Sequence, residues 1–417
     1  MGGLGSTARL AKVVLGFVTD RAPPWSMISP AGSISVDHAS VADLSEYCLR
    51  GFEVKIIHRF RPIAAAALLG IAAALPVVDS VHATDAAARP EAAISPMKRV
   101  AEARAKARAE NPDGADRVYG GKQAETGAYP FQVALLTTGK LDKSPASQAN
   151  AQFCGGSLIA PQWVLTAAHC LNDDGEPISP DVVTVLTGAT DLSEGKRYKA
   201  VEIIVNEGYS EQTLDNDLGL IRLAEPADAP TIKIASEPTP DAGKTTVTGW
   251  GKMQDGTFPT ALMVADLDLQ PNATCNSGIK AIYAHDLKAA LGELARRMRY
   301  SERGIEAAAN AIAADMADPL TGNMICAGTA SGERDACNGD SGGPLFMTGA
   351  DGPVQVGVVS WGEGPADGGT ACGHKNAYGI YTRLANYTGW IEEKMKRAAP
   401  VPAAPKALGT AQKPATP

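Results

Sequence analysis

Excess positive charge is what this chain lacks. Its 417 residues carry 38 Lys and Arg against 46 Asp and Glu, a formal net charge of −8. Without a concentrated basic face it has no means of tracking a phosphate backbone, so nucleic acid is excluded as a partner. Long apolar runs are equally scarce. The only one covers residues 63–78, short for a bilayer and rich in weakly hydrophobic alanine. Disorder is excluded too, because 45% of the residues are hydrophobic and 20% charged, enough for one large or two ordinary domains with substantial cores.

The apolar run follows Lys55, His58, Arg59 and Arg61 and is followed by Val81, His82 and Ala83. Basic, apolar and small-residue regions in that order predict a secretory signal peptide over 54–83, cleaved after Ala83 and giving the only membrane contact. A retained segment, anchoring the protein in a membrane, is the alternative. Residues 1–53 precede the signal and are expected to be an untranslated or disordered extension, with the true start near Val54. Of seven cysteines, Cys48 lies upstream of the signal and Cys154, Cys170, Cys275, Cys326, Cys337 and Cys372 lie downstream. An even set in an exported chain predicts three disulfides. Alanine richness and the short signal point to a bacterial source, in the periplasm or the medium.

Residues 84–117 are rich in Ala, Arg and Glu, as in RVAEARAKARAE, and read as a propeptide, a solvated helix or mobile segment rather than core. From 118 to 397 the texture changes to short runs such as FQVALL, TTVTGWG and VQVGVVSWG cut by Gly, Pro, Asn and Asp. Such runs predict an all-β barrel or sandwich. YTGWIEEKMKR predicts a C-terminal helix, and 398–417 is a Pro/Ala-rich tail without packing signal. One stretch breaks the pattern. Leu287, Leu291, Leu294 and Met298 share a helical face, and Ile305, Ile312 and Met316 repeat it, which predicts an inserted helical hairpin over about 279–318.

Three residues carry chemistry together. Ser341 lies in CNGDSGGP, where glycines leave backbone N–H groups free to meet an oxyanion. His169 lies in LTAAHC and Asp217 in DNDLGLIRL. A serine needs a base, and the base needs a carboxylate to fix its tautomer, so the three form one working unit. Their order, His then Asp then Ser, separates this arrangement from subtilisins and α/β-hydrolases.

On these residues and on CGGSLI at 154–159, WVLTAAHC at 163–170, VTGWG at 247–251, NMICAG at 323–328, DACNGDSGGP at 335–344 and YGIYT at 378–382, the chain resembles the trypsin-like, chymotrypsin-fold serine peptidases. The resemblance covers 118–397. It implies two packed six-stranded β-barrels with His169, Asp217 and Ser341 in the cleft, and disulfides Cys154–Cys170, Cys275–Cys326 and Cys337–Cys372. It makes the N–H groups of Gly339 and Ser341 the oxyanion hole, and Ser360, Trp361 and Gly362 the strand that pairs with substrate. It also implies activation by cleavage after Arg117, with the new Val118 amine pairing with Asp340. Asp335 takes the floor of the specificity pocket between Gly362 and Gly379, which favours Arg and Lys. The expected partners are therefore protein or peptide substrates with those residues, and proteinaceous inhibitors. A catalytically weak relative serving as a binding or regulatory module is the alternative.

Departures from the family pattern sharpen the picture. Ala336 replaces a frequent hydroxyl beside the pocket floor, tilting the preference toward Arg. Tyr378 stands where members that bind sodium have tyrosine, but residues 363–371 form a longer segment that would reshape such a site. The loop TGATDLSEGKRYKAVEI lacks the spaced glutamates of calcium-binding members, so no cofactor or metal is expected. Arg296, Arg297, Arg299 and Arg303 offer autolysis sites in the insert. Mass spectrometry of the source cells is expected to find no peptide from 1–53, and finding one refutes the later start.

Overall fold

The computed structural model describes residues 95–110, 121–366, 372–375 and 377–397. Expectations for the signal peptide, the extension before it, the tail, Arg117 and Val118 fall outside these. The strands are β1 Lys122–Gln123, β2 Gln132–Thr137, β3 Gln152–Ala160, β4 Trp163–Thr166, β5 Asn172–Asp173, β6 Glu176–Pro177, β7 Val183–Thr187 and β8 Lys196–Val205. They continue with β9 Gly219–Leu223, β10 Lys233–Ile234, β11 Gly243–Gly249, β12 Met263–Gln270, β13 Met324–Gly328, β14 Pro344–Gly349, β15 Gly352–Trp361 and β16 Gly379–Arg383. Helices are α1 Pro96–Glu110, α2 Ser147–Ala151, α3 Asn272–Met298, α4 Glu302–Asp315 and α5 Thr388–Arg397.

The expected two barrels are present. The first closes in the order β2-β3-β4-β9-β8-β7, around Val133, Leu135, Leu158, Leu165, Val185 and Leu220. In the second, β12-β11-β14-β15-β16-β13 closes through β12 and β13, with β1 and β10 added at its margins. Strand β12 shows why these sequences make barrels: Leu267 and Leu269 face the core while Asp266 and Asp268 do not, the period of two that a half-buried strand requires. Closure leaves neither six-stranded sheet with an open edge. The three disulfides pair as the resemblance implied.

The expected C-terminal helix is α5. Ile391 is buried in the first barrel's core cluster, with Trp390 and Met395 packed against it. Glu207 accepts from Lys394 Nζ and from Trp390 Nε1, and these bonds hold its carboxyl down at about 2.

Two expectations need correction. The inserted hairpin exists, but α3 begins at Asn272 rather than near 279. The residues it buries are Cys275, Ile279 and Ile282, against Met324, Cys326 and Ile380. Leu287 and Leu291 are only half-buried, and Met298, Ile312 and Met316 are exposed. In α4 the buried face is Ile305, Ala309 and Ala313. Small alanines at i, i+4 spacing let α3 and α4 approach closely, so the larger apolar residues turn outward. Ser301 caps α4 by accepting from the Gly304 N–H at 3.1 Å.

The second correction concerns α1. It is helical, but it packs: Val100 is 1% and Arg104 5% exposed, and the helix lies against β3 and the turn at His169. Pro96, Val100 and Arg104 recur at i, i+4 on one face, a stripe hidden by the charged residues around it.

Candidate active site

His169 is placed by a short 3-10 turn, Ala168–Cys170, after β4, and the Cys154–Cys170 disulfide ties that turn to β3. Asp217 lies two residues before β9 and is fully buried. Its carboxylate accepts from the His169 backbone N–H at 2.9 Å, from His169 Nδ1 at 2.7 Å and from the Ser360 hydroxyl at 2.5 Å. Thr382 Oγ1 donates to its carbonyl at 2.7 Å. Because a carboxylate only accepts, the Nδ1 contact assigns the imidazole proton to Nδ1 and leaves Nε2 as a basic lone pair.

Ser341 sits in the loop between β13 and β14 and is 7% exposed. The loop is held to both barrels. Ser341 O accepts from the Gly155 N–H at 2.7 Å, and the Gly342 N–H donates to Val359 O at 2.8 Å. Gly342 has φ +81°, and a Cβ there would collide with Gly155 O and Thr166 Oγ1, so glycine is required. Among the described residues no hydrogen bond joins Ser341 Oγ to His169 Nε2, yet both residues line one cavity of about 590 Å³. No acceptor among the described residues is bonded to the N–H of Gly339 or Ser341. Gly339 has φ +103°, and its carbonyl accepts from Gln152 Nε2 at 2.8 Å.

Ser360, Trp361, Gly362 and Gly379 line the same cavity, as does Ala336. Asp335 does not. It lies behind Gly379, where its Oδ1 fills the space a side chain there would need. Its carboxylate accepts from the Ala336 N–H at 2.8 Å and the Gly373 N–H at 2.9 Å. Burial pushes its carboxyl up to about 7. Asp340 is bound by the Gly251 N–H at 2.7 Å and the Cys337 N–H at 2.9 Å, and burial raises it to about 6. Cys154, His169 and Cys170 cluster within metal-binding reach, but the two sulfurs are bonded to each other and do not ligate.

Sequence reasoning missed several cavity residues: Tyr209, Glu211 and Leu214 before Asp217, Glu363 after Gly362, and Arg99 of α1. Glu363 is held by the insert. Tyr283 of α3 donates its hydroxyl to Glu363 Oε2 at 3.0 Å, and the Ala366 N–H donates to Asp286 Oδ1 at 3.1 Å. Burial pushes the Tyr283 hydroxyl up to about 12, with Glu363 adding to the shift. Missed as well was Gln152, which no motif marks.

This arrangement, two β-barrels with a buried Asp–His pair and a serine opening on one cleft, defines a serine peptidase. Residues 118–391 match the family model "Trypsin". Kallikrein-7 of Homo sapiens is 31% identical over 290 residues, 68% of this chain and 88% of its own length. Trypsin of Sus scrofa is 29% identical over 67% of this chain and 96% of its own length. Vitamin K-dependent protein C of Mus musculus is 32% identical over 66% of this chain and 51% of its own. The chain belongs to the trypsin family of serine endopeptidases. These relatives are animal proteins and lend no support to a bacterial source. Among the described residues no helix is long and apolar enough to cross a membrane.

The Asp335 carboxyl titrates well above its ordinary 3.8, so the fold favours its neutral form. Its contribution to stability is full below about pH 4 and is lost as pH rises through about 7. Between about pH 5 and pH 8 the parent is therefore expected to lose melting temperature relative to Asp335→Asn. Parallel profiles for the two proteins would count against the shift.

Proposed function

We propose that the protein is an exported endopeptidase that cleaves after Arg, and less readily after Lys, through His169, Asp217 and Ser341. The observation that carries this reading is the His169 Nδ1 bond to buried Asp217, which leaves Nε2 as the base on the cavity that Ser341 shares. In the first step Nε2 takes the Ser341 hydroxyl proton as Oγ attacks the scissile carbonyl. The carbonyl electrons move onto oxygen, met by the N–H groups of Gly339 and Ser341. Collapse expels the amine, which takes the proton from His169 and leaves an acyl-serine. Water, deprotonated by the same imidazole, then releases the acid.

Asp335 supplies selectivity, because a buried carboxylate with only N–H donors gains most from a cationic substrate side chain. Ala336 offers no hydroxyl to a lysine ammonium, whereas a guanidinium forms a bidentate fork with the carboxylate once activation opens the cavity to Asp335. Ser360, Trp361 and Gly362 pair with the substrate backbone as an added strand. In the precursor the site is latent. Cleavage after Arg117 frees the Val118 amine to pair with Asp340, whose carboxyl burial pushes toward its neutral form. Protein and peptide substrates, and proteinaceous inhibitors, are the partners, and the membrane is met only through the signal peptide.

A fluorophosphonate probe is expected to label the chain strongly only after mild trypsin treatment. Ser341→Ala is expected to lower kcat by about 10⁶-fold, and Arg117→Gln to remain uncleaved and weakly active. Full activity of uncleaved Arg117→Gln refutes latency. A trypsin-treated parent that refuses the probe favours the binding-module reading.

The insert belongs to this reading through Tyr283 and Asp286, which hold the segment after Gly362. Tyr283→Phe is expected to raise KM for extended peptides several-fold with kcat nearly unchanged. Unchanged selectivity after deletion of 286–318 would make the insert a surface decoration.

A further inference from the structure

Helix α1 begins beside the catalytic residues. Ser95, Pro96 and Arg99 line the same cavity as His169 and Ser341, and Lys98 Nζ pairs at 2.9 Å with Asp173 on that cavity's wall. Val100 joins the core cluster that contains Phe153 and the Cys154–Cys170 sulfurs. One turn further on, Arg104 is buried. Its guanidinium lies 4.4 Å over the Phe258 ring and donates to Trp250 O at 3.1 Å and to Gln152 Oε1, while its Nε has no partner.

A buried guanidinium with no carboxylate bonded to it and one orphan donor costs stability that an apolar side chain would not. What the arginine supplies is a connection. By engaging Gln152 Oε1 it fixes the amide, so that Nε2 points to Gly339 O at 2.8 Å and Cys154 O at 3.1 Å. Gly339 belongs to the proposed oxyanion loop, and nearby Asp340 attracts the arginine.

From this geometry we infer that Gln152, Trp250 and Phe258 form an arginine seat beside the triad, and that helix α1 is its ligand, a built-in inhibitor anchored by Arg104. The inference rests on the reading of this cleft as a peptidase site. The seat belongs entirely to the part of the chain after Val118, so it outlasts cleavage at Arg117. The released helix then binds back in trans and must be removed, by dilution or by further cleavage within its basic sequence, before the cleft is open.

The test uses the full chain cleaved after Arg117 and freed of its prosegment. A fluorescent peptide of residues 95–110 is expected to bind it, and to inhibit hydrolysis of an Arg chromogenic peptide, at least tenfold more tightly than the Arg104→Ala peptide. Isolated helices of this length are marginal in water, so a second arm works in cis. In the uncleaved chain, Arg104→Gln is expected to raise the rate of fluorophosphonate labelling several-fold. Equal binding of both peptides, with an unchanged labelling rate in cis, overturns the inference. Polarisation of the labelled peptide reads the seat without catalysis. Binding without any hydrolysis would thus overturn the peptidase reading and uphold the seat, whereas hydrolysis without selective binding would do the reverse.

Discussion

The arrangement of the two barrels depends on how one buried carboxylate is satisfied. Asp217 has no access to water, and a charge in that position is tolerable only when hydrogen-bonded on all sides. Its partners come from both halves: His169 from the first barrel and Ser360 from β15 of the second, while Thr382 of β16 donates to the backbone carbonyl of the same residue. The bonds that orient the imidazole therefore also fasten the barrels. Further pairs cross the same seam. Thr248 donates to Gln132, Ser157 to Gln355, and the Gly155 N–H to Ser341 O. A seam built of directional polar bonds fixes relative position more sharply than apolar contact does, and the cleft along it inherits that precision.

Three acids near the cleft, Asp217, Asp335 and Asp340, meet burial in different ways. Asp217 has a hydroxyl and an imidazole. Asp335 and Asp340 have only backbone N–H groups, and both are pushed toward their neutral forms. Each therefore creates a demand for a cation that the barrels do not meet. In the proposed cycle the substrate side chain answers Asp335 and the new amine answers Asp340. The basic prosegment approaches the same region first. In that proposal latency, selectivity and release share one electrostatic cause, carboxylates buried in low dielectric behind the cleft.

Much of this was legible in the sequence because barrel strands write their pattern locally. In β12 the alternation of Leu267 and Leu269 with Asp266 and Asp268 is visible without any structure. His169, Asp217 and Ser341 were legible for a different reason: each lies in a word whose small residues are demanded by geometry, such as Gly342 against Gly155 O. The helices were less legible. Periodicity in α3 and α4 selected the largest apolar residues, but the helices chose alanines for close approach and turned Met298 and Ile312 outward. Neither Gln152 nor Glu363 could be found, since their roles follow from contacts with residues far away in the chain.

The failure at α1 is the instructive one. A segment with five basic residues in fifteen reads as solvated because burying charge is costly, and that reasoning holds for any helix considered alone. It fails when the surface that receives the helix is itself short of cations and carries acceptors pointing inward. Trp250 O and Gln152 Oε1 supply those acceptors for Arg104, while Lys98 stays exposed in its pair with Asp173. Whether a charged stripe faces water or protein is thus a property of the partner surface. In this chain the acceptors that receive Arg104 lie 48 and 146 residues away in sequence, out of reach of any local pattern.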